Sequence, residues 1–334
     1  MDARNERITI NDVARELGVS TTTISRVLSG KGRISESTRK RVMDYINEHD
    51  YTPNAIAKSL AQSKTYNIGW VIPGGYSVME LPFFQNCLMG VVEVASANQY
   101  DILLSMIIDG NIDILKRAVI NNKIDGAIIA RTSENDEITE YLLSRNVPFV
   151  TVGLSENDNV IQIDNNHEQA CMEMTAKLYE AGARDIALIG GDRRFIVNRQ
   201  RLNGYKKALE SLGLPYNPDK VILDCECKDD IKTAVDRLIG LNAECIVCMD
   251  DAICMTVYNK LKKDKVSIPS EIKLASFYNS PQLENCKPRI SAIDYDAVEV
   301  GNSACSILID CIDGREVNKK TLLGYKILMK DSTK

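Results

Sequence analysis

A short stretch near the start of the chain carries side chains suited to contact with DNA. Four hydroxyl side chains and one arginine lie close together: Thr21, Thr22, Thr23, Ser25 and Arg26. Hydroxyls at the start of a helix reach base edges or phosphate oxygens, and an arginine guanidinium binds guanine O6 and N7 through two parallel hydrogen bonds. Arg26 is therefore predicted to contact a base, with a phosphate contact or solvation as the alternative.

The apolar spacing predicts that these side chains lie on the second helix of a helix-turn-helix. Apolar residues recur at helical spacing on either side of Gly18: Val13, Ala14 and Leu17, then Ile24, Val27 and Leu28. Thr9 and Asp12 form a start signal for the first helix, and Ser20 suits the cap of the second. A third helix from near Ser35 completes a small apolar core. A helical bundle with another role is the alternative.

The start of the third helix carries a second set of polar side chains, Arg33, Ser35 and Thr38. Hydroxyls and the backbone N–H groups of a helix N-terminus are suited to hold a phosphate. We expect these residues to position the protein on DNA without reading its sequence.

The composition is that of a globular chain, and its two parts have net charges of opposite sign. The 334 residues are 44% hydrophobic and 26% charged, which is ordinary for a folded protein. Residues 1–65 hold 11 Lys or Arg against 8 Asp or Glu, a net charge of +3, and the remainder has a net charge of −8. A basic module suits contact with a phosphate backbone. No apolar run is long enough to span a membrane and the N-terminus is no signal peptide, so we expect a cytoplasmic protein without a membrane partner.

Ten cysteines are spread along the chain. Cys245 and Cys248 have the spacing of a zinc-binding pair, but they lie in an apolar segment predicted to be a buried strand. Only His49 and His167 are present to add imidazole ligands. Free buried thiols in a reducing compartment, with no metal or cofactor, are therefore expected rather than zinc binding or redox sensing.

From residue 66 onward, short apolar segments alternate with amphipathic helices. This pattern is typical of an α/β fold with parallel sheets, and nine predicted strands suit two sheets, divided near residue 164. The strands are predicted at Asn67–Ile72, Ile102–Met106, Gly126–Ala130, Phe149–Val152, Val160–Ile163, Asp185–Ile189, Val221–Leu223, Cys245–Cys248 and Lys273–Phe277. Open α/β sheets bind ligands at the carboxyl ends of strands, so a ligand is expected in the cleft between the halves.

Residues 8–65 resemble the DNA-binding headpiece of the LacI (lactose-repressor) family of bacterial transcription regulators. The matching motifs are Asp12-Val13-Ala14, Gly18-Val19-Ser20, Thr23-Ile24-Ser25-Arg26-Val27-Leu28, Thr38-Arg39 and Tyr51-Thr-Pro-Asn54-Ala-Ile-Ala57. The rest resembles the family's two-lobed sensor, of the periplasmic-binding-protein type I fold, through weaker motifs such as Arg201-Leu-Asn-Gly-Tyr205 and Lys330-Asp-Ser-Thr333. The resemblance also predicts that two further strands, near Ala292–Tyr295 and Tyr325–Met329, complete the two sheets.

The resemblance implies a helix-turn-helix headpiece at residues 1–50, a hinge helix at 51–65 and an effector-binding and dimerisation domain at 66–334. In that domain one lobe comprises about 66–164 plus 293–324, and the other about 165–292 plus 325–334.

The segment 54–64 is predicted to be a short helix with a small apolar face, because Pro53 suits a helix start. Alone it is too short to be stable. The resemblance implies that Asn54, Ala57 and Leu60 contact the minor groove when two copies meet there. Leu60 then inserts between base pairs and kinks the duplex. The alternative is that the segment is a plain linker, in which Leu60 only packs against other parts of the protein.

The expected effector site departs from that of sugar-responsive family members, which usually carry an Asn-Asp pair and an Asp in a Gly-Phe-Asp-like turn. Here Met249-Asp250 and Ser276-Phe277-Tyr278-Asn279 stand at those places. Two side chains that bind sugar hydroxyls are missing, which favours an effector other than a simple sugar. The candidate effector-binding residues are Phe83, Phe84, Arg131, Phe195, Arg201, Asp250, Tyr278 and Tyr295.

Arg201 is the leading candidate, because its segment matches the ligand-binding arginine of the family. Two arginines among aromatic side chains favour a planar or anionic metabolite. Core packing at a helix start is the alternative role for Phe83 and Phe84.

These features predict a sequence-specific DNA-binding repressor that binds double-stranded palindromic operator DNA and a small-molecule effector. No leucine-heptad tail follows Lys330, which favours a homodimer over a tetramer. The alternative is a ligand-sensing protein that acts mainly through a protein partner. An enzyme is not expected, since the sequence has no Gly-x-x-x-x-Gly-Lys loop and no nucleophile motif beside its two histidines.

Overall fold

The computed structural model describes residues 8–29, 32–49, 64–74, 82–225 and 227–334. The chain divides into two compact units, Met1–Thr65 and Tyr66–Lys334, and each is described by itself. The predicted hinge residues Asn54, Ala57 and Leu60 lie outside the described residues, so their roles stay predictions. None of the helices in the described ranges is long and apolar enough to cross a membrane.

The described part of the first unit contains the predicted helices α1 (Ile10–Leu17), α2 (Thr21–Ser29) and α3 (Glu36–Glu48). α1 begins at a capping box, because Thr9 accepts the N–H of Asp12 while the Asp12 carboxylate accepts the N–H of Thr9. It ends at Gly18, whose φ of 63° lies in the left-handed region that favours glycine. The Ser20 hydroxyl accepts the N–H of Thr23 at 3.1 Å and caps α2.

The three helices enclose a small apolar core: Val13, Ala14, Ile24, Val27, Val42 and Ile46. α3 starts where the sequence predicts, since the Ser35 hydroxyl accepts the N–H of Thr38 at 3.2 Å. From α3, Arg41 donates to the carbonyl oxygen of Leu17 at 2.9 Å, which fixes α3 against the end of α1. The core therefore holds α2 by its apolar side.

The strands described in the second unit form two sheets. Those of the first sheet are β1 (Asn67–Pro73), β2 (Asp101–Ile107), β3 (Gly126–Ile129), β4 (Phe149–Val152), β5 (Ile161–Asn165) and β11 (Lys320–Leu323). Their order is β11-β5-β4-β3-β1-β2, and all neighbours are parallel. Its covering helices are α4 (Pro82–Ala97), α5 (Asp113–Ile120), α6 (Glu137–Ser144) and α12 (Ala297–Ile312). α4 and α12 lie on one face of the sheet and α5 and α6 on the other.

The second sheet contains β6 (Ile186–Ile189), β7 (Val221–Ile222), β8 (Cys245–Cys248), β9 (Lys273–Ser276), β10 (Ser291–Asp294) and β12 (Lys326–Leu328). Their order is β12-β10-β9-β8-β6-β7, with only β12 antiparallel to its neighbour. Its helices are α7 (His167–Glu180), α8 (Ile196–Ser211), α9 (Lys228–Gly240), α10 (Asp251–Lys263) and α11 (Pro281–Glu284), with 3₁₀ turns at Pro218–Lys220 and Asp331–Thr333.

The chain passes between the two sheets after β5, after β10 and after β11. The Asn165 side-chain amide, at the first passage, donates to the carbonyl of Gly324, at the third, at 2.8 Å. Tyr295, at the second, contacts His167 and Tyr325, with ring centroids 4.7 and 6.4 Å apart. The three connections therefore lie side by side, which permits a hinge between the two halves of this unit.

The first sheet packs α4 against α12 through glycines. A Cβ at Gly90 would lie 2.1 Å from the carbonyl oxygen of Val298, and one at Gly301 would lie 1.9 Å from that of Cys87. No residue with a side chain fits at such distances. The two helices therefore pack backbone to backbone at these glycines.

The α/β fold with parallel sheets is confirmed, and each of the nine predicted strands is present within two residues of its predicted bounds. The sequence prediction missed β11. This edge strand starts at Lys320, directly after another lysine, and its side chains alternate between exposed and half-buried, so it has no continuous apolar run.

All ten cysteines are free thiols, but the expectation that they are buried is wrong for three: Cys225, Cys227 and Cys311 are half-buried. Cys245 and Cys248 lie three residues apart on a strand, so their side chains point to opposite faces of the sheet. Burial raises the pKa of Cys245 to about 12, which keeps that thiol neutral.

Candidate DNA-binding surface and effector cleft

α2 has one buried face and one exposed face. Ile24 and Val27 are buried in the core of the first unit, whereas Thr22, Ser25 and Arg26 are exposed. Thr22 and Arg26 lie four residues apart and so on the same side of the helix. The exposed face therefore carries two hydroxyls and a guanidinium, the groups predicted to meet DNA.

The other threonines of α2 are less accessible. Thr21 and Thr23 are half-buried, and the Thr23 hydroxyl oxygen lies 2.9 Å from that of Ser20. Thr23 thus takes part in capping α2. The Arg26 side chain passes close to Gly32, where an added Cβ would lie 3.3 Å from the Arg26 Cδ.

The predicted phosphate-contacting residues gather at the start of α3. Arg33 and Ser35 are exposed and Thr38 is half-buried. The hydroxyl oxygens of Ser35 and Thr38 lie 2.7 Å apart. Both hydroxyls belong to the cap of α3, so they reinforce a helix N-terminus whose N–H groups point outward.

In the second unit, Arg131 and Phe195 meet across the two sheets. Arg131 follows β3 of the first sheet, and Phe195 stands at the start of α8, over the second. The Arg131 Cζ lies 3.8 Å from the ring centroid of Phe195 and 5.9 Å from that of Phe84. This is a cation–π stack between the two halves of the unit.

Arg201 and Asp250 lie on the side of the second sheet. Arg201 is buried and donates through Nη1 to the carbonyl oxygen of Met249 at 2.6 Å. Its buried Nε has no hydrogen-bond partner among the described residues. Asp250 caps α10 by accepting the N–H of Ile253 at 2.8 Å. Arg201 therefore keeps one donor for a ligand or a water molecule.

The charges around Arg131 nearly balance. Burial lowers the pKa of Arg131 to about 10; Asp250 and Asp192 oppose this shift, and Arg201 adds to it. Arg131 still carries its charge at neutral pH. Since two carboxylates face these two arginines, the arginines do not by themselves require an anionic effector.

Aromatic side chains form a second contact between the halves. The rings of Tyr278 and Tyr295 are stacked, with centroids 6.2 Å apart. The ring of Phe83, from the start of α4, meets Tyr278 edge-on at 6.0 Å. Phe84 differs, because it is buried in the apolar core of the first sheet. Burial raises the pKa of both tyrosines, so both stay neutral.

Sequence reasoning missed three buried polar residues near the cleft. Asp251 Oδ1, His167 Nδ1 and Asn198 Oδ1 have no hydrogen-bond partner in the described part of the chain. Burial, with a smaller effect of Asp250, raises the pKa of Asp251 to about 6. His167 Nε2 lies 3.2 Å from Asp164 Oδ1. Their only sequence signal is position, since each lies within a few residues of a helix start.

Polar contacts also join the two halves of the second unit. Arg199 of α8 pairs with Glu134 and with Glu156, the latter at 2.7 Å. The N–H of Ile196 donates to the carbonyl of Thr132 at 3.2 Å. The glutamates and Thr132 follow strands of the first sheet, so these contacts hold the two halves together.

Comparison with known proteins agrees with this architecture. Residues 9–54 match the family described as bacterial regulatory proteins, lacI family, and residues 175–333 match a periplasmic binding protein-like domain. The chain therefore combines a LacI-family DNA-binding domain with a periplasmic binding protein-like domain. The relatives that it matches along nearly their whole length include the transcriptional regulator MalR and catabolite control protein A.

Two kinds of relative illustrate the similarity. The transcriptional regulator MalR of Streptococcus pneumoniae is 27% identical over 336 residues, which cover 97% of this chain and 99% of MalR. A LacI-type regulator from Bacillus cereus subsp. cytotoxis is 26% identical, with a TM-score of 0.76 over 80% of this chain and 98% of its own. The Lac repressor dimer bound to operator and the anti-inducer ONPF has the same fold, with 21% identity and a TM-score of 0.84 over 98% of this chain and 99% of its own.

Proposed function

We propose that this LacI-family regulator is a repressor that binds a palindromic operator as a homodimer and responds to a small molecule in the cleft. One observation carries the proposal: the same chain holds a helix-turn-helix with an exposed Thr22, Ser25 and Arg26 face and a two-sheet unit whose halves are joined by three adjacent connections. The first part suits DNA and the second suits a ligand.

At the DNA end, α2 enters the major groove and Arg26 binds a guanine. Thr21, Thr22, Thr23 and Ser25 contact bases or phosphates beside it. Arg33, Ser35 and Thr38 hold the backbone. Asn54, Ala57 and Leu60 contact the minor groove between the two half-sites. Two copies related by a two-fold axis match the symmetry of a palindrome.

At the effector end, the ligand lies among residues from both sheets: Phe83, Phe84, Arg131, Phe195, Arg201, Asp250, Tyr278 and Tyr295. Two observations support this position of the ligand: the contacts between side chains of the two sheets, and the Nε of Arg201, which has no partner among the described residues. A ligand that binds the closed cleft better than the open one shifts the hinge, and through it the affinity for DNA.

A repressor of this kind works in the cytoplasm, beside the DNA, and catalyses no reaction. The similarity of this chain to transcription regulators, which extends along nearly its whole length, supports this assignment.

The test is a selection of bound duplexes from a random library with the full chain, followed by sequencing. Sedimentation of the protein with the selected duplex then gives the stoichiometry. We expect a palindrome bound by two copies. Recovery of sequences without a shared motif, or binding of one copy per site, contradicts the proposal.

A further inference from the structure

The Arg131 side chain lies over the faces of two phenyl rings, one from each half of the second unit. Its Cζ is 3.8 Å from the ring centroid of Phe195, at the start of α8 over the second sheet. The same atom is 5.9 Å from the ring centroid of Phe84, on α4 over the first sheet. A guanidinium is flat and is attracted to ring faces. Arg131 therefore joins the two halves as a small planar ligand bound between them would.

The Arg131 guanidinium is held by its flat shape and its charge. A guanidinium has several N–H donors, but no hydrogen bond or ion pair joins that of Arg131 to another residue in the described part of the chain. Asp250 and Asp192 favour its charge through space, and Arg201 opposes it. Both carboxylates have partners of their own, since Asp192 pairs with Arg194 at 2.7 Å and Asp250 caps α10. The Arg131 side chain can therefore leave the two rings without breaking a hydrogen bond.

The backbone that follows Arg131 also meets the second half of the unit. Ser133 and Phe195 form an antiparallel β-bridge, and the N–H of Glu134 donates to the carbonyl oxygen of Arg194 at 3.1 Å. These backbone contacts hold the segment that carries Arg131 beside the rings. A tethered group has a high effective concentration at a site within its reach. The guanidinium is therefore well placed to occupy the ring faces in competition with free molecules.

We propose that the Arg131 guanidinium is an internal ligand, which holds the two halves of this unit closed in the absence of a small molecule. A tethered group binds without the loss of translational and rotational freedom that a free ligand undergoes. Removal of the side chain leaves a site for a planar cation at the two rings. A molecule that binds these rings in the wild type must first displace Arg131. The role of such a molecule as effector rests on the proposed function, whereas closure by Arg131 does not.

The test is chemical rescue of Arg131→Ala in the full chain. The probes are methylguanidinium chloride, whose cation is planar, and methylammonium chloride, whose cation has the same charge and is not planar. Small-angle scattering should give a larger radius of gyration for the variant than for the wild type. Methylguanidinium at millimolar concentrations, where guanidinium denatures little, should restore the wild-type radius and raise the Tm of the variant by binding to its folded state. Methylammonium should do neither.

Arg184→Ala is the matched control. The Arg184 Cζ also lies over a ring, that of Tyr179 at 4.0 Å, but Arg184 is exposed and both residues belong to the second half. This variant should keep the wild-type radius and show no rise in Tm with methylguanidinium. A double variant, Arg131→Ala with Phe195→Leu, removes one ring face and should lose the rescue.

A wild-type radius for a folded Arg131→Ala protein overturns the proposal. So does a lack of response to methylguanidinium, an equal response to methylammonium, or a rescue that persists in the double variant. If Arg131→Ala does not fold, Arg131→Gln takes its place, because glutamine keeps much of the side-chain length without the charge. A wild-type radius for that variant has the same meaning. Neither readout involves DNA, so operator affinity of the wild type, measured separately, distinguishes this failure from a failure of the proposed function.

Discussion

The guanidinium of Arg131 stacks on the ring of Phe195, with Cζ 3.8 Å from the ring centroid. Arg131 follows a strand of the first sheet, and Phe195 begins a helix over the second. Opening of the cleft must break this stack together with the Arg199 ion pairs beside it. The stack therefore contributes to the balance between the closed and open forms.

Replacement of Phe195 by leucine is expected to shift that balance toward the open form. Leucine keeps apolar volume but lacks the ring face, so a cation–π interaction of about 0.5–1 kcal/mol is lost. Small-angle scattering should show a larger radius of gyration than in the wild type. Tyr179→Leu is the matched control, because the Tyr179 ring lies 4.0 Å from Arg184 Cζ within one half of the unit. An identical radius of gyration for Phe195→Leu and wild type contradicts this role.

Asp251 makes the stability of the second unit depend on pH. Burial raises the pKa of its carboxyl to about 6, against 3.8 for the ordinary group. The folded state binds this proton more tightly than the unfolded state, so stability falls as the pH rises through that interval. Asp251→Asn removes the free-energy cost of burying an ionised carboxylate. Its free energy of unfolding should exceed that of wild type by up to about 3 kcal/mol near neutral pH.

Urea denaturation across that pH interval measures the effect. The advantage of Asp251→Asn should disappear in acid, where Asp251 of the wild type is protonated in both states. Asp101→Asn, at an exposed position, should show no such profile. An Asp251→Asn protein that is less stable than wild type at neutral pH shows that the Asp251 charge is stabilised by an interaction the carboxamide cannot replace.

Gly90 is expected to be intolerant of a side chain. The Cβ of Gly90→Ala would lie 2.1 Å from the carbonyl oxygen of Val298, so α4 and α12 must move apart. Overpacking of this kind costs about 1–3 kcal/mol, and more where backbone must move. Gly240→Ala is the control, because Gly240 lies in helix α9 with no atom within 4 Å of an added Cβ. Thermal unfolding should show a lower Tm for Gly90→Ala only, and equal Tm values would be inconsistent with this packing.

The headpiece was the most predictable part of the chain, because its signals are local. The Thr9–Asp12 capping box, the turn at Gly18 and the Ser35 cap each depend on residues a few positions apart. The strands of the two sheets were predictable for a similar reason, since buried parallel strands read as continuous apolar runs. β11 was missed because it lies at the edge of its sheet and its side chains are exposed or half-buried.

The cleft was less predictable because its properties arise from packing between distant segments. The sequence indicates that Arg131 follows a strand and that Phe195 precedes a helix. It does not indicate that the two side chains stack on each other. It also does not indicate that Asp251 is buried, nor that Asp294 and Ser280 line one pocket with Asn86. Burial and missing hydrogen-bond partners depend on the folded chain, so no local motif marks them.

The measurement that tests the central claim most directly is the affinity of the full chain for its selected operator and for a scrambled duplex, over a range of salt concentrations. Arg26→Ala should lose about 1–3 kcal/mol on the operator and much less on the scrambled duplex, because a base contact is removed. Lys40→Ala removes the same charge from an exposed residue that pairs with Asp44, and should keep the preference for the operator. If Arg26→Ala weakens binding to both duplexes equally, Arg26 contacts only phosphate. If the wild type binds both duplexes alike at every salt concentration, this protein is not a sequence-specific regulator.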